Sequence, residues 1–311
     1  MQGEHQLCTD YGDEYFYEIR KRKKKNNKVR IIHAPSPKLK VLQRDFADYF
    51  YNLKKEEFNA NPQITGFLPG KSIADNALPH VKKDWVVNMD IKDFFPSTSY
   101  KLVNDIFKSL PKSKSWRYWL KSIKPMEFKG MKPFDLCSTM MVRKQGKCYE
   151  LPQGSPASPV IANYVAIEEV DKIVKEVCGF MTLDNVNYTR YADDITVSFN
   201  GTSNDRRLAE DLVRQVTGRL RGPYQIKEEK TVIKHKSQRQ LVTGVIVNGD
   251  NPRIDRRLMN NMRAAIHNTN KKNEELSPEI RGMMSFIQSI NKAQFNKLND
   301  QIGDQKWKLQ K

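Results

Sequence analysis

The chain has 311 residues, and 54 Lys or Arg against 36 Asp or Glu leave a formal charge of +18 at pH 7. That excess suits a polyanion partner, nucleic acid first, and argues against an acidic surface, while the length allows a sizeable core and more than one lobe. No apolar stretch approaches the roughly 20 residues of a membrane span and the polar N-terminus has no secretory core, so a cytoplasmic protein with no membrane partner is expected.

In chain order, residues 20–40 hold ten Lys or Arg and no acid. They include Arg20-Lys21-Arg22-Lys23-Lys24-Lys25, a run that reads equally well as a solvated tail or as a phosphate contact. Trp85-Val86-Val87-Asn88-Met89 is a predicted buried strand ending at Asp90, with Asp93 in the next turn. Residues 112–150 hold ten bases against three acids, interleaved with Trp116, Tyr118, Trp119 and Phe128. This pattern suits base stacking, or a small helical subdomain with Trp116 and Trp119 as its core.

Leu151-Pro152-Gln153-Gly154-Ser155-Pro156-Ala157-Ser158-Pro159 precedes a long helical pattern. Ser158 and Pro159 are an N-cap and first-turn pair, and Val160, Ile161, Val165, Val170, Ile173, Val174 and Val177 give a face ending at Gly179. Gly154 allows close backbone approach to a ligand, next to a helix N-terminus with a partial positive charge. An ordinary Pro-rich loop would look the same. Val186 to Tyr191 reads as strand, and Ile195, Val197 and Phe199 alternate with Thr196 and Ser198 as a half-buried strand. Past Gly249, Asn251-Pro252 marks a break before two helical patterns, Ile254 to His267 and Pro278 to about Leu298. Their Arg253, Arg256, Arg257, Arg263 and Arg281 fit a duplex backbone or simply exposed faces.

Asp193 and Asp194 therefore fall where two strands meet, and two like charges there need solvation or a cation. Alone they read as a solvated turn. A third acid at a strand end, Asp90, makes the arrangement that holds two divalent ions about 4 Å apart for in-line phosphoryl transfer; oxygen ligands suit Mg²⁺. Cys8, Cys137, Cys148 and Cys178 lack zinc spacing or a disulfide framework, and the histidines do not cluster.

Taken in order, Asp90 with Phe95, the Leu-Pro-Gln-Gly-Ser-Pro loop and Tyr191-Ala192-Asp193-Asp194 resemble motifs A, B and C of reverse transcriptases. Lys28-Val29-Arg30-Ile31-Ile32 and Thr65-Gly66-Phe67 look like finger motifs, and Lys230 sits where motif D carries its lysine. Asn76-Ala77-Leu78-Pro79-His80 and Val242-Thr243-Gly244 resemble two signatures of bacterial retron enzymes. The likeness covers roughly residues 28–290.

The resemblance implies an α+β right-hand polymerase: an N-terminal segment with fingers (1–83), a palm of antiparallel sheet backed by helices (84–250, with the basic aromatic insertion at about 112–150), and a short helical thumb (251–311). It implies RNA-directed DNA synthesis with Asp90, Asp193 and Asp194 as ligands of two Mg²⁺, for which Mn²⁺ could substitute. Arg30 would clamp the dNTP triphosphate, Gln153 would contact the sugar region, Phe95 would lie under the sugar where a 2'-hydroxyl has no room, and Lys230 would donate a proton to pyrophosphate. Asn76, His80, Val242, Thr243 and Gly244 would serve RNA recognition, although for His80 a hydrogen-bonded structural role fits its chemistry better. The family further implies a structured non-coding RNA as template and self-primer, starting from a guanosine 2'-hydroxyl. It also implies an RNA-DNA hybrid product, help from host RNase H, an effector or toxin partner, and anti-phage defence.

With a thumb running to residue 311, no RNase H or endonuclease domain is expected, which disfavours a mobile-intron protein and would leave RNA removal to another enzyme. Other readings stay open: an intron-derived or diversity-generating reverse transcriptase, an RNA-binding scaffold with an inactive polymerase fold, and a nucleotide cyclase. A scaffold has no need of three carboxylates, and a cyclase has no need of the Gln-Gly-Ser-Pro loop or this charge.

Overall fold

The computed structural model describes residues 5–7, 16–23, 29–110, 114–122, 142–144, 148–272 and 274–302. Lys24, Lys25, Lys28, Phe128, Cys8 and Cys137 lie outside the described residues, as do the side chains of Trp119 and Cys148. Among the described residues the chain is α+β, as expected, with an antiparallel central sheet.

β1 (His5–Leu7), β2 (Phe16–Lys23) and β3 (Val29–Pro35) form an antiparallel sheet. Arg20 to Lys23 are thus strand residues rather than a tail, and the register sets Arg22 opposite Arg30. The helix Pro37–Leu53 follows, started by Ser36, whose Oγ accepts from Leu39 N at 3.4 Å, and by Pro37 in its first turn. Its Leu39, Leu42, Phe46 and Phe50 recur at helical spacing and are all buried. Phe46 stacks on Phe107 with ring centroids 4.8 Å apart.

β4 (Trp85–Asp90) lies inside the central sheet. β5 (Val142–Lys144) and β6 (Cys148–Glu150) make a separate ribbon. β7 (Asp184–Tyr191), β8 (Asp194–Asn200) and β9 (Val232–His235) complete the sheet in the order β7-β8-β4-β9. Trp85, Val87 and Met89 join the larger core and Val86 the smaller one on the opposite face. A strand covered on both faces is apolar almost throughout, which is why β4 shows no clean alternation. The larger core also takes in the helix Arg206–Arg219 and the helical run from Ser158 to Phe180.

That run departs from the sequence reading at both ends and in the middle. Ala157 is the N-cap position, and Ser158 Oγ instead donates to the Pro152 carbonyl at 2.8 Å, folding the loop back on the helix. A π-helical turn, Ile167–Asp171, interrupts it, and it continues past Gly179 to Phe180. Trp116 is buried and Tyr118 exposed, so of the two readings for this stretch the core role fits Trp116.

β10 (Leu241–Val242) and β11 (Val245–Ile246) form a hairpin whose Val242 and Val245 lie in the smaller core with Ala77, Val86 and the C-terminal helices. That core takes in Ala77 from the span 1–83 and Val86, Val242 and Val245 from the span 84–250, so it crosses the expected boundaries. Three helices follow where two were expected: Arg256–Lys271, Pro278–Ile290 and Lys292–Asn299. The extra break is at Asn291, whose Oδ1 accepts from Gln294 N at 2.9 Å and caps a new helix. Arg253, Arg256, Arg257, Arg263 and Arg281 are exposed. No helix among the described residues is long and apolar enough to cross a membrane.

Candidate active site

Strand register brings the acids together. β4 runs antiparallel to β8 with Asp90 opposite Asp194, while Tyr191 pairs with Asp194 across the β7–β8 hairpin and leaves Ala192-Asp193 at its tip. Ala192 adopts φ 56°, a left-handed conformation unusual for alanine. The turn is braced on several sides. Thr65 N donates to the Arg190 carbonyl at 2.9 Å, and Ile91 N donates to the Asp193 carbonyl at 2.9 Å. A Cβ on Gly66 would lie 2.6 Å from Ala192 N, so only glycine lets that segment approach the hairpin so closely.

A second strap brings in Lys230. Lys92 N donates to the Gln225 carbonyl at 2.8 Å and Lys227 N to the Asp90 carbonyl at 2.7 Å. The turn Glu228–Lys230 follows, and Lys230 Nζ reaches Asp90 Oδ1 at 2.5 Å. Burial alone would lower the Lys230 pKa, but its hydrogen bond to Asp90 and the charges of Asp90, Asp193 and Asp194 raise it. Desolvation, then the Asp90 charge, raises Asp193 against the pull of Lys230 and Arg30. Asp194 is pushed up to about 6 by desolvation, then by the charges of Asp193 and Asp90.

Asp90 and Asp193 border an open cavity of about 360 Å³ whose wall also includes Arg30, Phe95, Gln153 and Lys230. Asp194 is not part of that wall. Phe95 leans on Phe67 and Phe94, with centroids 6.1 and 5.4 Å away. Gly154 uses its freedom differently from the expectation. It has φ +129°, and a Cβ there would sit 2.5 Å from the His33 carbonyl oxygen. His33 N also donates to the Gln153 carbonyl at 2.8 Å, so the close approach is to β3, and it fixes Gln153 beside Arg30 in the wall.

Of the residues assigned to RNA recognition, Asn76, His80 and Val242 are fully buried. Any part these three play in RNA recognition therefore passes through the elements they pack together rather than through exposed side chains. His80 bonds Ser198 Oγ through Nδ1 and Thr189 Oγ1 through Nε2, each at 2.7 Å. Its pKa falls to about 3, from burial and then the Lys83 charge, so it is neutral and structural. Asn76 accepts from Thr65 Oγ1 at 2.7 Å and donates to Thr243 Oγ1 at 3.3 Å, so the two signatures touch. Thr243 (φ 45°) and Gly244 (φ 86°) form the two-residue β10–β11 turn, both left-handed, with Gly244 exposed.

The sequence reading missed Lys227 in the wall, and a buried cluster of Asn163, Asp171 and Arg190 under the hairpin. Lys227 carried no signal apart from its nearness to Lys230. Asn163 and Asp171 did: they are polar residues inside an apolar helical stretch, where a buried polar group needs a partner.

The reverse transcriptase (RNA-dependent DNA polymerase) family matches residues 20–247. Retron Mx162 reverse transcriptase of Myxococcus xanthus is 30% identical over 292 residues, covering 87% of this chain and 57% of its own. Retron Ec86 reverse transcriptase of Escherichia coli is 27% identical, covering 93% and 81%. This chain thus spans little more than half of the Mx162 relative. In fold, it resembles a telomerase from Candida albicans solved with a TWJ fragment of telomeric RNA, at a TM-score of 0.53, 13% identity, and coverage of 96% and 55%. With Asp90, Gln153, Asp193 and Lys230 lining one cavity and the family match running through all of them, the chain belongs to the reverse transcriptase family.

Proposed function

We propose that this chain is the RNA-directed DNA polymerase of a retron. The observation that carries this reading is the register of Asp90 opposite Asp194, with Asp193 at the adjoining tip and Arg30, Gln153, Phe95 and Lys230 around the same cavity. Family membership and the similarity to retron enzymes along most of the chain support it.

Among the described residues no three His, Cys, Asp or Glu side chains stand arranged to enclose one ion. The chemistry of the donor set fits a hard divalent cation all the same: Asp90, Asp193 and Asp194 offer only carboxylate oxygens, and Asp193 and Asp194 are raised by desolvation first and then by the charges of neighbouring acids, both of which a bound cation offsets. These three would hold two Mg²⁺ ions, which supply charge neutralisation at the attacking and leaving oxygens. Arg30 neutralises the triphosphate from the fingers side. Phe95 underlies the sugar and excludes a 2'-hydroxyl, and Gln153 contacts the sugar edge. The primer hydroxyl attacks the α-phosphate, and Lys230 donates a proton to the departing pyrophosphate.

The partners belong to the same proposal. A structured non-coding RNA is template and self-primer through a guanosine 2'-hydroxyl, the product is an RNA-DNA hybrid trimmed by host RNase H, and an effector protein acts with it in anti-phage defence. The test is to express the chain in its host, sequence the nucleic acid that co-purifies, and assay dNTP incorporation on that RNA. A covalent RNA-DNA hybrid with DNA complementary to one RNA supports the reading. Bound RNA with no DNA, and no incorporation by the purified protein, overturns it.

A further inference from the structure

We propose that Arg190 is a positioning residue: a fully buried cation that fixes the Ala192-Asp193 turn relative to the helix behind it, and thereby aims the catalytic carboxylates. The inference rests on the polymerase reading above, and concerns which group sets the geometry of its acids.

Arg190 is 0% exposed and spends every side of its guanidinium. Nε and Nη2 donate to Asp171 Oδ1 and Oδ2 at 2.6 and 2.8 Å, a bidentate pair. Nη1 donates to Asn163 Oδ1 at 2.9 Å and to the Ala192 carbonyl at 3.2 Å. The guanidinium also lies over Phe94, 5.8 Å from its ring centroid. Phe94 precedes Phe95, so one cation touches the turn after β4, the helix after the Gln-Gly-Ser-Pro loop, and the hairpin tip.

These bonds close a ring. Asn163, oriented by Arg190, donates through Nδ2 to the Gly66 carbonyl at 2.8 Å. Gly66 in turn lies so near Ala192 that a Cβ on it would come within 2.6 Å of Ala192 N, on the residue whose carbonyl Arg190 holds. An alanine at φ 56° persists only where its surroundings over-determine it, and this ring supplies the constraint. Asp171 is presented to it by the π-helical turn Ile167–Asp171, an irregularity that costs helix bonding and recurs at functional sites. Tyr188 Oη donates to the same carboxylate and fixes its rotamer. A purely structural ion pair in this position is often replaceable by apolar residues. It would not need the Ala192 contact.

Two variants test the idea: R190K, which keeps the charge beside Asp171 with a single point donor, and R190M/D171N, which leaves no unpaired charge and still offers Tyr188 an acceptor. Wild type must first extend a DNA primer on an RNA template; if it does not, the polymerase reading fails and this inference is not what failed. Given that activity, a folded variant is expected to lose about tenfold to a hundredfold in kcat, because a displacement of about 1 Å at reacting groups has that cost, with the dNTP KM little changed. Amide hydrogen exchange should rise in the peptide covering residues 188–196 and stay at the wild-type rate in the helix Arg206–Arg219. Wild-type kcat in either folded variant overturns the proposal, as does exchange that rises equally in both regions, which marks global loosening. Should R190M/D171N prove insoluble, R190K alone decides on the same two readouts.

Discussion

Lys230 Nζ lies 2.5 Å from Asp90 Oδ1, joining the lysine of the turn Glu228–Lys230 directly to the carboxylate that ends β4. The lysine side chain is 52% exposed and the aspartate 13%, so the pair is half in water and worth little to the fold. Lys230→Ala is therefore expected to leave thermal stability almost unchanged. Single-turnover nucleotide incorporation should fall by about 10²-fold, the usual weight of a positioned proton donor, and Lys230→Arg should recover part of it. Rapid-quench kinetics check this; an unchanged rate would remove Lys230 from the chemistry.

Asp193→Asn separates charge from packing. The folded protein holds Asp193 above its ordinary pKa, chiefly by desolvation and then by Asp90, so the ionised form costs stability at neutral pH. Removing that charge should leave the melting midpoint equal or slightly higher while DNA synthesis disappears. Calorimetry and primer extension on the same preparation are the measurements, and a large loss of stability would contradict the electrostatic account.

Much of this site was legible in the sequence because its parts are local: a strand end at Asp90, a hairpin at Asp193-Asp194, a Pro-Gly loop at Gln153. Composition and periodicity mark such features directly. The use of Gly154 was not legible, since its partner, the His33 carbonyl, is over a hundred residues away and a close approach looks the same whether it meets a ligand or another strand. The Ser158 cap failed for a different reason: its hydroxyl bonds the Pro152 carbonyl six residues back, a side-chain-to-backbone bond that competes with capping. Arg190 hid in a strand pattern because nothing in alternation tells a buried, paired cation from an exposed one.

Phe95 stands in the cavity wall, propped by Phe67 and Phe94. Phe95→Val should open space under the sugar and raise the ratio of rNTP to dNTP use, read as the ratio of kcat/KM values. Because Phe95 is only partly buried, the fold should survive. An unmoved ratio would make it a packing residue and place sugar discrimination elsewhere.

His80 gives a pH signature. Its folded pKa of about 3 lies below the ordinary 6.5, so on acidification the unfolded chain takes up a proton that the folded chain refuses. Stability from this group is intact above about pH 6.5 and is lost as pH falls toward 3. From pH 7 to 5 the loss is about 2 kcal/mol, from 1.36 kcal/mol per pH unit below the unfolded pKa. Urea unfolding across that range should show it, and His80→Gln should flatten its share of the slope. The same slope in the variant would show that other groups dominate.

The Asn76–Thr243 contact allows recognition to be tested apart from folding. Replacing the whole Val-Thr-Gly element would confound the two, because Val242 is buried and Gly244 sits at φ 86°, where alanine is strained. Thr243→Asn avoids this: asparagine before glycine is the preferred pair for a turn with two left-handed residues, so the β10–β11 hairpin should hold. What changes is the side chain at the turn and its bond to Asn76. Two substrates are compared, the RNA that co-purifies with the chain and a plain RNA template with an annealed DNA primer. On the proposed mechanism, extension of the plain substrate relies on Asp90, Asp193 and Asp194, all untouched, and should stay near wild type. Initiation on the co-purified RNA requires one internal hydroxyl to be delivered to those acids, and should fall by about tenfold or more if the turn docks that RNA, given the steep cost of misplacement. Gly244→Ala is the control for strain: it should lower stability by about 1 kcal/mol or more and depress both reactions together. Equal activity of Thr243→Asn on both substrates would mean that the turn closes the smaller core and recognises nothing.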